Sequence, residues 1–198
     1  MTDVFLGDSI TRAHKSSRIQ DLGQGYVQLV YNLLADQSLQ LHFINQGHNG
    51  AKLVDLLFYL DQDLGQVVAD QPVRRIFLMA GVNELWQALD YSDEAWRQYL
   101  RKFAGQARQY LTSIRQTSPE SELWLLLPVA NFSGRGQDRL RDLQATWQGL
   151  AEELAVNYLN LQDLLSPGDF LPDQVHLKVS GHEQIAQAVV AQAFRFDQ

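Results

Sequence analysis

Three side-chain types that together can activate a hydroxyl group stand at separated positions in this chain. Ser9 lies in LGDSIT (residues 6–11), directly after a short apolar run. A serine hydroxyl is a poor nucleophile at neutral pH and needs a base within hydrogen-bond reach, itself oriented by a third group. Of the five histidines, His176 sits in LPDQVHLKVSGHEQIA, three residues after Asp173 and just before the last helical pattern. An aspartate so placed in a turn can fold back onto Nδ1 and leave Nε2 for Ser9, which is the geometry of a triad. Acyl transfer also requires donors aimed at the oxygen that becomes negative. The backbone N–H groups of Ser9 and of Gly47 in NQGHNG (45–50), with the side-chain amide of Asn83 in AGVNEL (80–85), are the expected donors.

These residues need a scaffold that gathers them. Strand candidates are 3–7, 41–46, 74–81, 122–129 and 156–161, dense in β-branched, aromatic and leucine residues. Such continuous apolar runs suit parallel strands buried on both faces. Between them Trp96, Tyr99, Leu100, Phe103, Ala107, Tyr110, Leu111 and Ile114 recur at helical spacing, predicting a helix from about residue 94 to 117. Leu140, Leu143, Trp147, Leu150, Ala151 and Leu154 repeat the pattern, and Ser180 with Glu183 reads as a capping box for a last helix. The alternation predicts a single three-layer α/β/α domain over residues 1–198, built on a five-stranded parallel sheet. Ligands bind beyond the carboxyl ends of such strands, where strand order reverses. With the order 2-1-3-4-5, Ser9 falls between the loops that carry Gly47 and Asn83.

Composition removes several partner classes. The 198 residues carry a formal charge of −7, with 16 basic against 23 acidic side chains, the opposite of the basic footprint that tracks phosphates along a nucleic acid. Without cysteine there is no disulfide, thiolate nucleophile or Cys-based zinc site. The first strand pattern begins by Asp3 and no apolar run is long enough to span a bilayer, so the expectation is a soluble, cytoplasmic protein. The nucleophile elbow G-x-S-x-G is absent, as are the phosphate-loop, dinucleotide and zincin motifs. The chemistry these residues could do requires no cofactor, and the expected ligand is a small ester, whether an acylated sugar, a lipid or a thioester; oligomeric state is open.

Other residues are weighed against plainer roles. Asp8 is expected to tie the Ser9 turn to nearby N–H groups, His182 to pack at a helix start and His42 to be a strand residue. His48, between Gly47 and Gly50, is a candidate to face the pocket. Leu85 and Trp86 after Asn83, and Phe132 after the fourth strand, are candidate walls of an acyl pocket. Arg12, Lys15 and Arg18 follow the serine and either hold a charged group or form a solvated face. Loops 83–93 and 128–137 are where selectivity is expected.

Four blocks, GDSIT (7–11), NQGHNG (45–50), GVNE (81–84) and DQVHLKVSGH (173–182), make the chain resemble the SGNH hydrolase superfamily, the GDSL-type esterases and lipases. The resemblance covers nearly the whole length. It implies a flavodoxin-like sheet, no metal, Ser9 as nucleophile, Asp173 and His176 completing the triad, and Gly47 and Asn83 as oxyanion donors. Two departures stand out. Glu84 replaces the usual Asp after the asparagine, and Lys52 stands where a small hydroxyl residue is common, a basic group expected near the mouth, where it would favour an anionic substrate. The expected reaction is hydrolysis of a carboxylic ester or thioester through an acyl-enzyme. Competing readings are acyl transfer at the same site, a non-catalytic glycan- or lipid-binding domain, or a phosphate binder using the 47–50 loop as an anion nest.

Overall fold

The computed structural model describes residues 2–18, 20–35 and 41–194. Five parallel strands form one sheet: β1 (Thr2–Gly7), β2 (His42–Gly47), β3 (Val73–Met79), β4 (Glu122–Leu126) and β5 (Asn157–Leu159). Their order is β2-β1-β3-β4-β5, so the chain reverses its direction of travel across the sheet beside β1. Register aligns the carboxyl ends: Gly7 lies opposite Gly47 on one side and Met79 on the other. Whatever follows Gly7 therefore emerges between the β2 and β3 loops.

β1 is buried along its full length, as the unbroken apolar run predicts. Phe5 stacks on Phe77 at 4.6 Å and meets Phe43 at 5.2 Å, joining three adjacent strands. Each such ring pair contributes about 0.5–1.5 kcal/mol beyond its area burial. At the opposite end of the sheet Arg75 pairs with buried Asp3 at 3.4 Å and lies over the Phe194 ring. The strands β3 and β4 end before the apolar pattern does, at Met79 and Leu126, although Leu127 N still donates to Leu159 O of β5 at 3.0 Å, and β5 itself ends at Leu159.

Helices α1 (Ser9–Arg12), α2 (Tyr26–Ala35), α3 (Leu53–Leu60), α4 (Gln66–Asp70), α5 (Val82–Gln87), α6 (Asp93–Thr117), α7 (Arg135–Glu153) and α8 (Val179–Ala193) cover both faces. α2 packs on α8, while α6 lies between α3 and α7. The Ser92 hydroxyl caps α6 by accepting the Ala95 N–H, with Asp93 and Glu94 in its first turn. A single π-helical turn, Asp61–Gly65, joins α3 to α4.

The Ser180/Glu183 capping box does not form. α8 begins at Val179 with Lys178 as its N-cap, and Ser180, already inside the first turn, donates to Asp169 Oδ1 at 2.5 Å. A nearby carboxylate outside the helix took the hydroxyl. The 83–93 segment is also less of a loop than expected, since α5 occupies 82–87. Its far end is held from below: the buried Arg139 guanidinium of α7 donates to the carbonyls of Ala88, Leu89 and Tyr91.

Candidate active site

The turn after β1 sets the serine. Asp8 caps α1 by accepting the Ile10 N–H on Oδ1 at 2.9 Å, and it is fully buried. Ser9 thus occupies the first helical position, where its own N–H has no intrahelical partner. Asn45 in β2 braces this turn from beside: its buried amide donates to Thr11 O at 2.8 Å and to Leu22 O at 2.7 Å.

Ser9 Oγ lies 2.8 Å from His176 Nε2, and His176 Nδ1 lies 2.7 Å from Asp173 Oδ2. Because an ionised carboxylate only accepts, Nδ1 carries the ring proton and Nε2 is left to accept the serine hydroxyl. Asp173 Oδ1 accepts the N–H groups of Val175 and His176 at 3.0 and 2.9 Å. Burial opposes its charge, but these hydrogen bonds and the histidine outweigh it and hold the Asp173 carboxyl below its ordinary value. The backbone reverses through Gln174 at φ +67°, a left-handed conformation that non-glycine residues seldom take. Cross-loop bonds from Leu171 N to His176 O and from Asn131 N to Gln174 O keep it there, both at 2.7 Å.

On the other side of Ser9, α5 and the loop before α3 are clasped at two points. Asn83 Nδ2 donates to Ala51 O at 2.9 Å, and Glu84 Oε1 accepts the Leu53 N–H at 2.6 Å. One N–H of the Asn83 amide thereby fixes its plane and leaves the second for a ligand. Glu84 Oε2 and Asp8 Oδ2 are buried with no protein partner. Burial, aided at Asp8 by the nearby Glu84 charge, pushes both carboxyls up to about 7.

The two glycines of the 45–50 block stand in different surroundings, and Gly47, the expected donor, has its N–H already engaged. Gly47 is the last residue of β2; its N–H is spent on Asn45 Oδ1 at 2.9 Å, and a Cβ there would lie 2.2 Å from Arg12 N. Gly50, three residues on, lines the cleft with Ser9 and Asn83 at φ +69°, and no hydrogen bond within the protein engages it. Strand length decided this, because β2 runs one residue further than the apolar pattern indicates.

A cleft of about 790 Å³ opens above these groups, walled by Trp86, Leu171, Leu177 and Val179. Trp86 meets the His176 ring edge-on at 6.1 Å. Leu85, its neighbour, is 0% exposed and belongs to the core, since successive residues of α5 point in different directions. Phe132 is also buried, packed under Gly136 and not on the cleft wall. His48 turns away into an adjoining polar cleft, where Nε2 donates to Asp63 at 2.6 Å. His182 is the packing residue expected: its Nδ1 accepts the Tyr26 N–H at 3.2 Å, and burial lowers it to about 4. His42 opens β2 and bonds Thr2 Oγ1. Lys52 lines neither cleft, and its backbone N–H donates to Asp55 at the start of α3. Arg12 packs over Gly47, donating to its carbonyl at 3.3 Å; Lys15 and Arg18 do not reach the main cleft. Among the described residues no group of three or more histidine and acidic side chains is arranged to hold a metal, and no helix is long and apolar enough to cross a membrane.

An acetylxylan esterase from Geobacillus stearothermophilus, Axe2, superposes with a TM-score of 0.82 at 22% identity, covering 99% of this chain and 94% of that one. Solved variants of Axe2 described as catalytic mutants replace a serine, an aspartate or a histidine by alanine. LAE5, an alpha/beta hydrolase enzyme from the metagenome of Lake Arreo, Spain, superposes at 0.80 with 20% identity over 100% of this chain and 96% of its own. No curated protein matches the sequence. The model of the GDSL-like lipase/acylhydrolase family matches residues 5–184, and the chain belongs to that family of ester hydrolases.

Proposed function

We propose that the chain is a serine esterase that hydrolyses carboxylic esters or thioesters through an acyl-enzyme, with Ser9, His176 and Asp173 as its triad. The observation that carries this reading is the unbroken hydrogen-bonded relay from Ser9 Oγ through the His176 ring to Asp173, at 2.8 and 2.7 Å. Ser9 Oγ attacks the carbonyl carbon while His176 Nε2 takes its proton. The carbonyl π pair moves onto oxygen, which the N–H groups of Ser9 and Gly50 and the free N–H of Asn83 stabilise. Collapse of this intermediate breaks the bond to the leaving alcohol or thiol, and His176 returns the proton to it. Water, deprotonated by the same nitrogen, then attacks the acyl-serine and releases the acid.

Asp173 fixes the ring tautomer and balances the imidazolium charge without itself becoming protonated. The Axe2 variants support the assignment by residue type: the aspartate and histidine replaced there are three positions apart, the same separation as Asp173 and His176. Each oxyanion donor of this kind contributes on the order of 10²- to 10³-fold in turnover.

The test is p-nitrophenyl acetate hydrolysis and fluorophosphonate labelling of the protein beside Ser9→Ala. Loss of both in the variant, with an unchanged thermal midpoint, is the expected result. Undiminished labelling of Ser9→Ala would remove Ser9 from the nucleophile role. A wild-type protein that neither turns over esters nor labels would refute the esterase reading as a whole.

A further inference from the structure

Beside the main cleft lies a second of about 260 Å³, lined by Arg12, His48, Asn49, Gly50, Asp55 and Tyr59 among others. Asn49 and Gly50 are shared between the two, so the ridge that separates them is the strand of backbone next to Ser9. The second cleft falls just below the roughly 300–1,000 Å³ of pockets that hold whole ligands. That is room for one ring-sized portion of a larger molecule whose ester sits at Ser9.

Its walls are set before any ligand arrives. His48 is gripped by the buried Asp63 carboxylate at 2.6 Å and stacks on Tyr59 at 4.5 Å with the rings 13° from parallel. Asp63 reaches it from the π-helical turn, a distortion that often accompanies functional sites. Because Nε2–H serves the carboxylate, Nδ1 is the ring's unengaged nitrogen. Asn49 is exposed and makes no hydrogen bond within the protein. Arg12 spends one Nη1–H on Gly47 O and keeps the rest of its fork. Phe58, 82% exposed, meets Tyr59 edge-on at 5.3 Å and extends the aromatic surface outward.

We infer that this cleft is a subsite for a hydroxyl-rich portion of the substrate, a sugar ring or a glycerol unit, whose ester is presented across the Asn49–Gly50 ridge to Ser9. The inference rests on the esterase reading and adds a substrate class to it. Its lining selects that class by chemistry. A guanidinium, an amide, an imidazole nitrogen and a carboxylate offer both donors and acceptors, which hydroxyl groups answer in either sense. A phosphate would meet the Asp55 carboxylate, and an alkyl chain would find no aliphatic wall.

Two variants test it, Asn49→Ala, which breaks no internal hydrogen bond, and Arg12→Met, which keeps the apolar stem. For each, kcat/KM is measured on a monoacetylated xyloside, on glycerol monoacetate and on p-nitrophenyl acetate, with thermal midpoints as fold controls. The expected result is a fall of about ten-fold in the ratio of kcat/KM on a polyol ester to that on p-nitrophenyl acetate, carried mainly by KM. A fall on the xyloside alone assigns the cleft to a sugar ring, and one on glycerol monoacetate alone to glycerol. Ratios within two-fold of wild type in both folded variants overturn the subsite while leaving the esterase intact. No turnover of any ester by the wild type overturns both.

Discussion

Replacing Glu84 by aspartate, the residue more usual after the oxyanion asparagine in this superfamily, is expected to damage the enzyme. The Glu84 carboxylate reaches Leu53 N at 2.6 Å from a buried position. Removing one methylene withdraws it by about 1.5 Å, which opens the contact to about 4 Å, beyond hydrogen-bonding range. The Leu53 N–H is then buried without a partner, at a cost of about 1–3 kcal/mol. For a chain of this size that lowers the thermal midpoint by roughly 2–12 °C. Leu53 also follows the loop that carries Gly50, so releasing it shifts the N–H proposed above as an oxyanion donor. A misplacement of about 1 Å near the reacting atoms costs on the order of 10²-fold. Glu84→Asp should therefore lose 10- to 100-fold in kcat, by the scale of that effect, with KM little changed. Glu84→Gln keeps an acceptor at the same reach and should stay within a few-fold of wild type. Steady-state kinetics on p-nitrophenyl acetate and thermal melts of both variants decide the matter. Wild-type kcat in Glu84→Asp with a lowered midpoint would make Glu84 a fold residue only, and equal damage from Asp and Gln would mean that charge, not reach, matters.

Three further outcomes follow from the site. Asp173→Asn should lower kcat by up to about 10⁴-fold through the wrong ring tautomer while keeping the fold, because Oδ1 still accepts from Val175 and His176; a loss under ten-fold in the same assay would reduce Asp173 to a turn cap. Gly47→Ala should fail to fold or melt far below wild type, since its Cβ would sit 2.2 Å from Arg12 N; a stable, soluble variant would contradict the strand end described above. For pH, Asp8 and Glu84 rise to about 7 and Asp3 to about 6 on burial, so between the ordinary carboxylate range and pH 7 the folded state binds more protons than the unfolded one. Stability then falls as pH rises through that window. Asp173, held low, acts oppositely and loses its contribution only as pH falls below that range. Calorimetry should find a higher midpoint at pH 5.5 than at pH 8, and a shallower slope in Glu84→Gln; identical slopes would exclude Glu84 as a source.

Much of the architecture was legible because burial writes itself into parallel strands. The run VFL of β1 admits no solvent face, and the helical spacing from Trp96 to Ile114 matches the buried face of α6. The pairing of Asp173 with His176 could also be read, since a three-residue separation in a turn is a local geometry. What the sequence concealed depends on phase and on strand length. Gly47 and Gly50 look alike as letters, and only the register of β2 against Gly7 assigns one to the sheet and the other to the cleft. Leu85 and Trp86 differ by one step around α5, which buries the first and exposes the second. Asn45 was visible in NQGHNG but had no signal marking it as the brace of the Ser9 turn. The signal that points to Gly50 is a second glycine three residues past the strand-ending Gly47, with the turn residues His48 and Asn49 between.

The hold of Arg139 on the carbonyls behind α5 has a consequence for how molecules enter. Swinging the Trp86 wall aside would strand three peptide oxygens and a guanidinium in a dry interior, so that side of the mouth is a fixed doorpost. Admission is governed by whether a molecule fits the standing frame, and widening the repertoire calls for trimming the post itself.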